Sequence, residues 1–295
     1  MQISDSIGRR TATFVLLFLC VTAFAESGER SEFEFANWAG KPIKVLVFVP
    51  DKSTENTPIV FVMHGASRTA ERYLNDWVPQ AEDHNLVIVV PEFTVGDFPK
   101  SDHYNLGHVF TRGSHKLRPE DDWTFSAIEP LFDEVVEKIG GRQTAYTLYG
   151  HSAGSQFVHR YLYYKPDARV NRYIAANAGW YTLPDFDFEY PYGFTDANID
   201  PDMLAGFFAK DLILLLGRED TDPNADKLRQ TKEARIQGPN RLARGITMFR
   251  TAKAKAEELG VEFNWQLMLV PGADHDNAKM APAAATLVMT NLDTS

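Results

Sequence analysis

Gly150-His151-Ser152-Ala153-Gly154 sets a serine between two glycines, after the β-branched and aromatic run Thr144 to Tyr149 and before an amphipathic stretch beginning Ser155-Gln156-Phe157-Val158. A strand, a tight turn and a helix with serine at the apex would lift the hydroxyl above a sheet edge, beside a helix N-terminus. That is a place for a nucleophile. The turn is strained, so the flanking positions must lack bulky side chains. Nucleophilic serine chemistry also needs a base to take the hydroxyl proton, an acid to orient that base, and donors aimed at the developing oxyanion.

Each partner is expected on a loop at the C-terminal edge of the sheet. Leu212 to Leu216 runs into Gly217-Arg218-Glu219-Asp220-Thr221-Asp222-Pro223, and Phe263 to Val270 runs into Pro271-Gly272-Ala273-Asp274-His275-Asp276. The order serine, acid, histidine is the one a Gly-x-Ser-x-Gly elbow calls for. Asp220, three residues after Gly217, is preferred as the acid over Asp222, which precedes Pro223 and could set a turn; Glu219 is third. His275 is preferred as the base over His151, which is adjacent to the serine in sequence and is expected to point away from it. Taken singly, such an Asp is a turn former and such a His a solvated side chain. Their order behind apolar strands is what carries the catalytic reading. The backbone N–H of Ala153, at a helix start where amides are unpaired, is the first expected oxyanion donor; that of Ala66, after His64-Gly65, is the second.

The elements that must position these groups follow from periodicity. Phe33 to Phe35 and Ile43 to Val49 read as two edge strands around a turn at Ala39-Gly40-Lys41-Pro42. Ile59 to Met63 and Leu86 to Val90, the latter stopped by Pro91, are continuous apolar runs, as in strands buried on both faces. A helix runs between them to about Asp83. Trp123 to Ile139 reads as a helix, Thr144 to Tyr149 as a strand, Ser155 to Tyr164 as a helix and Tyr173 to Ala176 as a strand. Leu212 to Leu216 is a further strand, Arg241 to Leu259 a long helix ended by Gly260, Phe263 to Val270 a last strand and Asn277 to Leu292 a closing helix. Alternating strands and helices predict an α/β fold, a mostly parallel central sheet with helices on both faces.

Two segments have no sustained period, near 92–122 and 179–207. Long irregular segments in a compact domain are usually functional or disordered. The aromatics Trp180, Tyr181, Phe186, Phe188, Tyr190 and Tyr192 would either line a substrate pocket or close a small lid core. Glu120-Asp121-Asp122 is read as helix-capping acids rather than a metal site, and Asp102, His103, His108 and His115 lack regular zinc-ligand spacing. No metal or other cofactor is expected. Lys227 to Arg244 is read as a charged, solvated helix face.

The chain has 295 residues, 44% hydrophobic and 24% charged, enough for one large domain with a full core. Arg9-Arg10, an apolar run from Phe14 to Val21 and Ala23-Phe24-Ala25 read as a signal peptide over 1–25, with the mature domain at 26–295 and no stable membrane anchor after cleavage. The protein is therefore expected to be exported, periplasmic or secreted. Its single cysteine, Cys20, lies in that segment, so the mature chain would have neither a disulfide nor a cysteine nucleophile. The formal charge is −10; losing Arg9, Arg10 and Asp5 leaves −11, an acidic balance that disfavours nucleic acid as a partner.

These residues resemble the α/β-hydrolase fold over essentially the whole mature chain. Within it they are similar to exported esterases of the polyhydroxybutyrate depolymerase, feruloyl esterase and acetylxylan esterase group. The likeness rests on His64-Gly65 as an oxyanion loop and on Asp121-Asp122-Trp123-Thr124-Phe125 as an Asp-Asp-aromatic element before the nucleophile strand; Asp220-Thr221 is similar to an element of cutinase-like polyester hydrolases. The resemblance implies a triad of Ser152, Asp220 and His275 and a small-molecule or polymeric ester as substrate. The chain departs from secreted polyester hydrolases in lacking disulfides and a separate polymer-binding module. Peptidase, amidase or lipase chemistry on the same fold, or a non-catalytic binding protein, are the alternatives.

Overall fold

A computed structural model describes residues 27–114 and 116–290. The signal-peptide reading, Cys20 and His115 lie outside the described residues. One eight-stranded sheet organises the rest, in the order β1-β2-β4-β3-β5-β6-β7-β8. Its strands are β1 (Gly28–Phe35), β2 (Ile43–Pro50), β3 (Ile59–Met63), β4 (Val87–Glu92), β5 (Tyr146–His151), β6 (Val170–Ala176), β7 (Leu212–Gly217) and β8 (Gln266–Val270). The β1–β2 and β2–β4 pairs are antiparallel and all others parallel, the mixed sheet expected of the α/β class.

The apolar runs alternate between two core layers, because successive strand side chains point to opposite faces. Val60 and Val62 of β3 pack with Leu46, Phe48, Ile213 and Leu215 on one face, under helices α1 (Ala70–His84) and α7 (Asn277–Met289). Ile59, Phe61 and Met63 pack on the other with α2 (Ile128–Lys138), α3 (Ala153–Tyr164) and α6 (Arg241–Leu259). Two short helices, α4 (Leu204–Phe208) and α5 (Lys232–Gln237), belong to the connections flanking β7.

Four expectations change. β2 is not an edge strand: it lies between β1 and β4. Pro91 does not stop β4, which continues to Glu92. Its pairing with β3 ends at Val89, so Pro91 has a strand neighbour only in β2 and its missing N–H is tolerated. The helix expected from Trp123 begins only at Ile128, after two 3₁₀ turns at Glu120–Asp122 and Thr124–Ala127. Glu120, Asp121 and Asp122 form the first of those turns and so do not cap an α-helix. Among the described residues no helix is long and apolar enough to cross a membrane.

Candidate active site

The elbow between β5 and α3 is strained at its apex. Ser152 has φ 60° and ψ −113°, a left-handed conformation that costs a non-glycine residue about 1–3 kcal/mol. The flanking glycines are required by close approach. A Cβ on Gly154 would sit 1.9 Å from the Met63 carbonyl oxygen, and one on Gly150 would sit 2.3 Å from the Gly154 carbonyl. Ser152 N–H donates to Ala176 O at 2.9 Å, anchoring the apex to the end of β6.

Around this serine the structure brings together both preferred partners. His275 Nε2 is 3.0 Å from Ser152 Oγ, and His275 Nδ1 is 2.8 Å from Asp220 Oδ2. A carboxylate only accepts, so Nδ1 carries the proton and Nε2 is left to accept from the serine hydroxyl. Asp220 follows the C-terminal end of β7 and is 4% exposed. Asp222 instead accepts from Asn224 N–H at 2.8 Å, as a turn former does, and Glu219 N–H donates to Ala273 O at 2.9 Å, tying the acid loop to the histidine loop.

His151 does not point away from the site. Its buried ring packs against that of His275, with centroids 4.7 Å apart, while its Nδ1 meets Tyr73 Oη at 3.0 Å. Burial, reinforced by the nearby His275 and Arg241, holds His151 well below the usual imidazole range, so it stays neutral beside His275. Tyr73, on α1, holds the ring in that place through its hydroxyl.

The predicted oxyanion donors flank the serine. Among the described residues neither the Ala66 nor the Ala153 N–H donates to another backbone group. A Cβ on Gly65 would lie 3.6 Å from Ser152 Cβ, an ordinary contact, and 2.7 Å from Tyr73 Oη, so the loop after β3 passes close to Ser152 and a side chain at residue 65 would press on the Tyr73 hydroxyl. His64 secures that loop. It is fully buried, its Nε2 accepts from Phe93 N–H at 3.1 Å, and its carbonyl accepts from Tyr104 Oη at 2.7 Å. Burial pulls His64 down to about 3, which keeps it a neutral structural ring.

Sequence reasoning missed two further residues that hold the site. Asn177, at φ 49° just beyond β6, accepts from Gly217 N–H at 2.7 Å and donates to Asp274 O at 3.0 Å. One side chain thereby joins the acid strand to the histidine loop. An Asn directly after a strand is a visible signal for a left-handed turn, though not for this bridge. The second is Arg241, whose guanidinium nitrogen stands 3.4 Å from Asp220 Oδ1.

The serine lies on a cleft of about 780 Å³ whose lining includes Arg68, Arg72, Lys100, Lys227, Arg229 and Arg241 against one acid, Asp226. In a chain of net charge −10 this is a concentrated positive patch. Arg68 donates to the Phe93 and Lys100 carbonyls and lies over the Tyr104 ring, and Arg229 donates to Tyr192 Oη and lies over Trp180. Neither is matched to a carboxylate among the described residues. Behind the cleft wall, fully buried Arg160 donates to Gln156 O, Asn105 O and Thr182 Oγ1, all neutral, and burial pushes it down to about 10.

Lys227 to Arg244 is therefore not one solvated helix face. It spans a loop, α5 and the start of α6, and Arg241 and Arg244 are buried. The aromatics of 179–207 divide: Trp180 lines the cleft, whereas Tyr181 and Tyr190 join the main core. His103 and His108 stack at 4.0 Å, and among the described residues no group of three or more His, Cys, Asp or Glu side chains is placed to hold a metal ion.

No family model and no curated protein matches the chain. Solved structures do. Poly(aspartic acid) hydrolase-1 from Sphingomonas sp. KT-1 is 44% identical, with 88% of this chain and 98% of that one covered at a TM-score of 0.86. LpqC, a poly(3-hydroxybutyrate) depolymerase from Bordetella parapertussis, is 32% identical over 89% of each chain, with a TM-score of 0.83. An S-formylglutathione hydrolase from Agrobacterium tumefaciens shares the fold at 13% identity, covering 90% of this chain and 95% of its own, with a TM-score of 0.58. With its strand order, its elbow and these two relatives together, the chain belongs to the esterase-like serine hydrolases of the α/β-hydrolase fold.

Proposed function

We propose that the protein is an exported carboxylic-ester hydrolase that works through an acyl-enzyme on Ser152 and takes acyl substrates bearing carboxylates. The observation that carries this reading is the hydrogen-bonded chain from Ser152 Oγ through His275 to Asp220, opening on a cleft lined by six cationic side chains and one acid, of which Arg68 and Arg229 meet no carboxylate among the described residues. Ser152 Oγ attacks the carbonyl carbon as its proton passes to His275 Nε2. The N–H groups of Ala66 and Ala153 receive the oxyanion, and Asp220 stabilises the imidazolium. The bond to the leaving alcohol then breaks as His275 returns the proton to it. Water repeats the sequence: His275 takes one proton, hydroxide adds to the acyl carbon, and the carboxylic acid leaves as Ser152 regains its hydrogen. This sequence needs no cofactor.

The identity to a poly(aspartic acid) hydrolase favours a second reading, an amide bond in a carboxylate-bearing chain as the scissile bond. The positive cleft suits either. Export rests on the signal-like segment 1–25 and is checked by N-terminal sequencing of protein recovered outside the cytoplasm.

Labelling by a fluorophosphonate probe, followed by a rate panel, tests the function. Wild type is expected to label, and Ser152→Ala to remain folded, fail to label and lose about 10⁴-fold or more in kcat on p-nitrophenyl acetate. Wild type that does not label would leave a non-catalytic binding protein. In the panel, succinyl monoesters should be cleaved faster than acetyl esters; equal rates would sink the anionic substrate class. Faster turnover of aspartyl amides than of matched esters would select the second reading.

A further inference from the structure

Arg241 occupies a place that local electrostatics argues against. It is the first residue of α6, and the positive end of a helix dipole disfavours a cation there. It is also 4% exposed, so its charge is hardly hydrated. Such a departure from local preference is expected where a residue serves a site. Its guanidinium lies 3.4 Å from Asp220 Oδ1, and its other terminal nitrogen donates to Asp226 O at 2.9 Å. Asp220 Oδ2 faces His275 Nδ1. The two oxygens of one buried carboxylate are thus divided between the imidazole and the arginine.

We propose that Arg241 is a positioning residue of the triad, clamping Asp220 as a carboxylate with one oxygen turned to His275. The inference rests on the catalytic role proposed above for Ser152, Asp220 and His275. The start of α6 forms the rest of the clamp. Leu242 N–H donates to Asp220 O at 3.2 Å, Asn240 Nδ2 donates to Thr221 O at 2.9 Å, and Asn240 Oδ1 caps the helix through Ala243 N–H. Backbone and carboxylate of the acid are therefore fixed from the same helix end.

A clamp of this kind has an electrostatic consequence besides geometry. A buried carboxylate with no cation beside it holds a proton more readily and draws one more strongly onto the imidazole it faces. Both effects remove the working state, an ionised acid with a neutral base, at higher pH. The other groups around the pair do not substitute for the guanidinium. His151 and Tyr73 are neutral, and Tyr181 is a buried phenol held well above its usual range. Arg72 is committed to Asp276 at 2.7 Å, Asp274 is bonded to Lys279 at 3.0 Å, and Glu219 adds only negative charge nearby.

The test is a full pH profile of kcat/KM on p-nitrophenyl acetate for wild type, Arg241→Met and Arg241→Lys. Arg241→Met is expected to lose about 10-fold to 100-fold in kcat with KM within about twofold, and its acid limb to move up by about half a pH unit or more. Arg241→Lys, which keeps the charge but not the fork, should hold the acid limb at the wild-type position and recover part of the rate. A loss of rate in Arg241→Met with an unmoved acid limb, or no loss at all, overturns the proposal. If Arg241→Met does not fold, Arg241→Lys decides: an acid limb displaced like that of a charge deletion counts against it. A wild type that fluorophosphonate does not label would instead refute the underlying catalytic reading and is told apart by that result.

Discussion

The Asn177 side chain ties two parts of the site together. It accepts from Gly217 at the end of β7 and donates to Asp274, next to His275, so it sets the distance between the two loops that carry Asp220 and His275. In Asn177→Ala both bonds vanish and the buried Gly217 N–H is left without a partner, a loss of about 1–3 kcal/mol in unfolding free energy. Because the loops lose their tie, kcat should fall about 10-fold as well. Denaturant unfolding and a p-nitrophenyl acetate assay read the two effects. A stable Asn177→Ala with wild-type kcat would show that the Glu219–Ala273 and Arg218–Val270 backbone bonds hold the loops together without it. Gly154 is constrained by space rather than by bonding. Gly154→Ala would drive a methyl group to 1.9 Å from the Met63 carbonyl, so β3 or α3 must shift, and a destabilisation of about 3 kcal/mol or loss of folded protein is expected.

At the scale of elements, the cleft's charge comes from the connections rather than from the sheet. Arg229 is the clearest case, since Tyr192 and Trp180 pin its guanidinium at the cleft. Arg229→Ala should therefore lower the ratio of succinyl-ester to acetyl-ester kcat/KM by about threefold to tenfold, the yield of one partly exposed charge interaction. An unchanged ratio would remove Arg229 from substrate recognition. The same contrast explains what could be read from sequence. β3 and β7 are apolar runs with few competing conformations, β5 is a β-branched and aromatic one, and the Gly-x-Ser-x-Gly turn between β5 and α3 has a steric logic visible in its letters. Asp220 and His275 followed because each comes shortly after such a strand. Arg241 and Arg244 were not legible as buried. A run rich in Lys and Arg reads as solvated, and only the fold brings Asp220 to one and the Gly179 and Gly238 carbonyls to the other. His151 was misjudged for a related reason: adjacency in the chain indicates the side a residue leaves from, whereas Tyr73 on α1 decides where its ring ends. Helix α2 begins late because the Trp123 and Ser126 side chains bond to the Arg118 and Glu120 carbonyls, favouring short turns over a continuous helix.

Across the whole molecule, a net charge of −10 and a positive cleft act on an anionic substrate in opposite directions. At low ionic strength the acidic surface repels such a substrate at long range, while the cleft attracts it at short range. Salt screens both, but unequally. The Debye length is about 10 Å at 0.1 M, so distant surface charges fade first, whereas half-buried Arg68 and Arg160, fully buried behind the cleft wall, are screened less. For a succinyl ester, kcat/KM should therefore rise by less than about twofold as salt is raised from about 10 mM to about 100 mM, then fall by about threefold or more toward about 1 M as the cleft itself is screened. An acetyl ester should stay within about twofold throughout, which corrects for any effect of salt on the chemical step. A profile that falls steadily from the lowest salt would mean the cleft dominates at every distance. One that rises steadily would mean the acidic surface does, and the cations of the cleft would then have no role in capturing substrate.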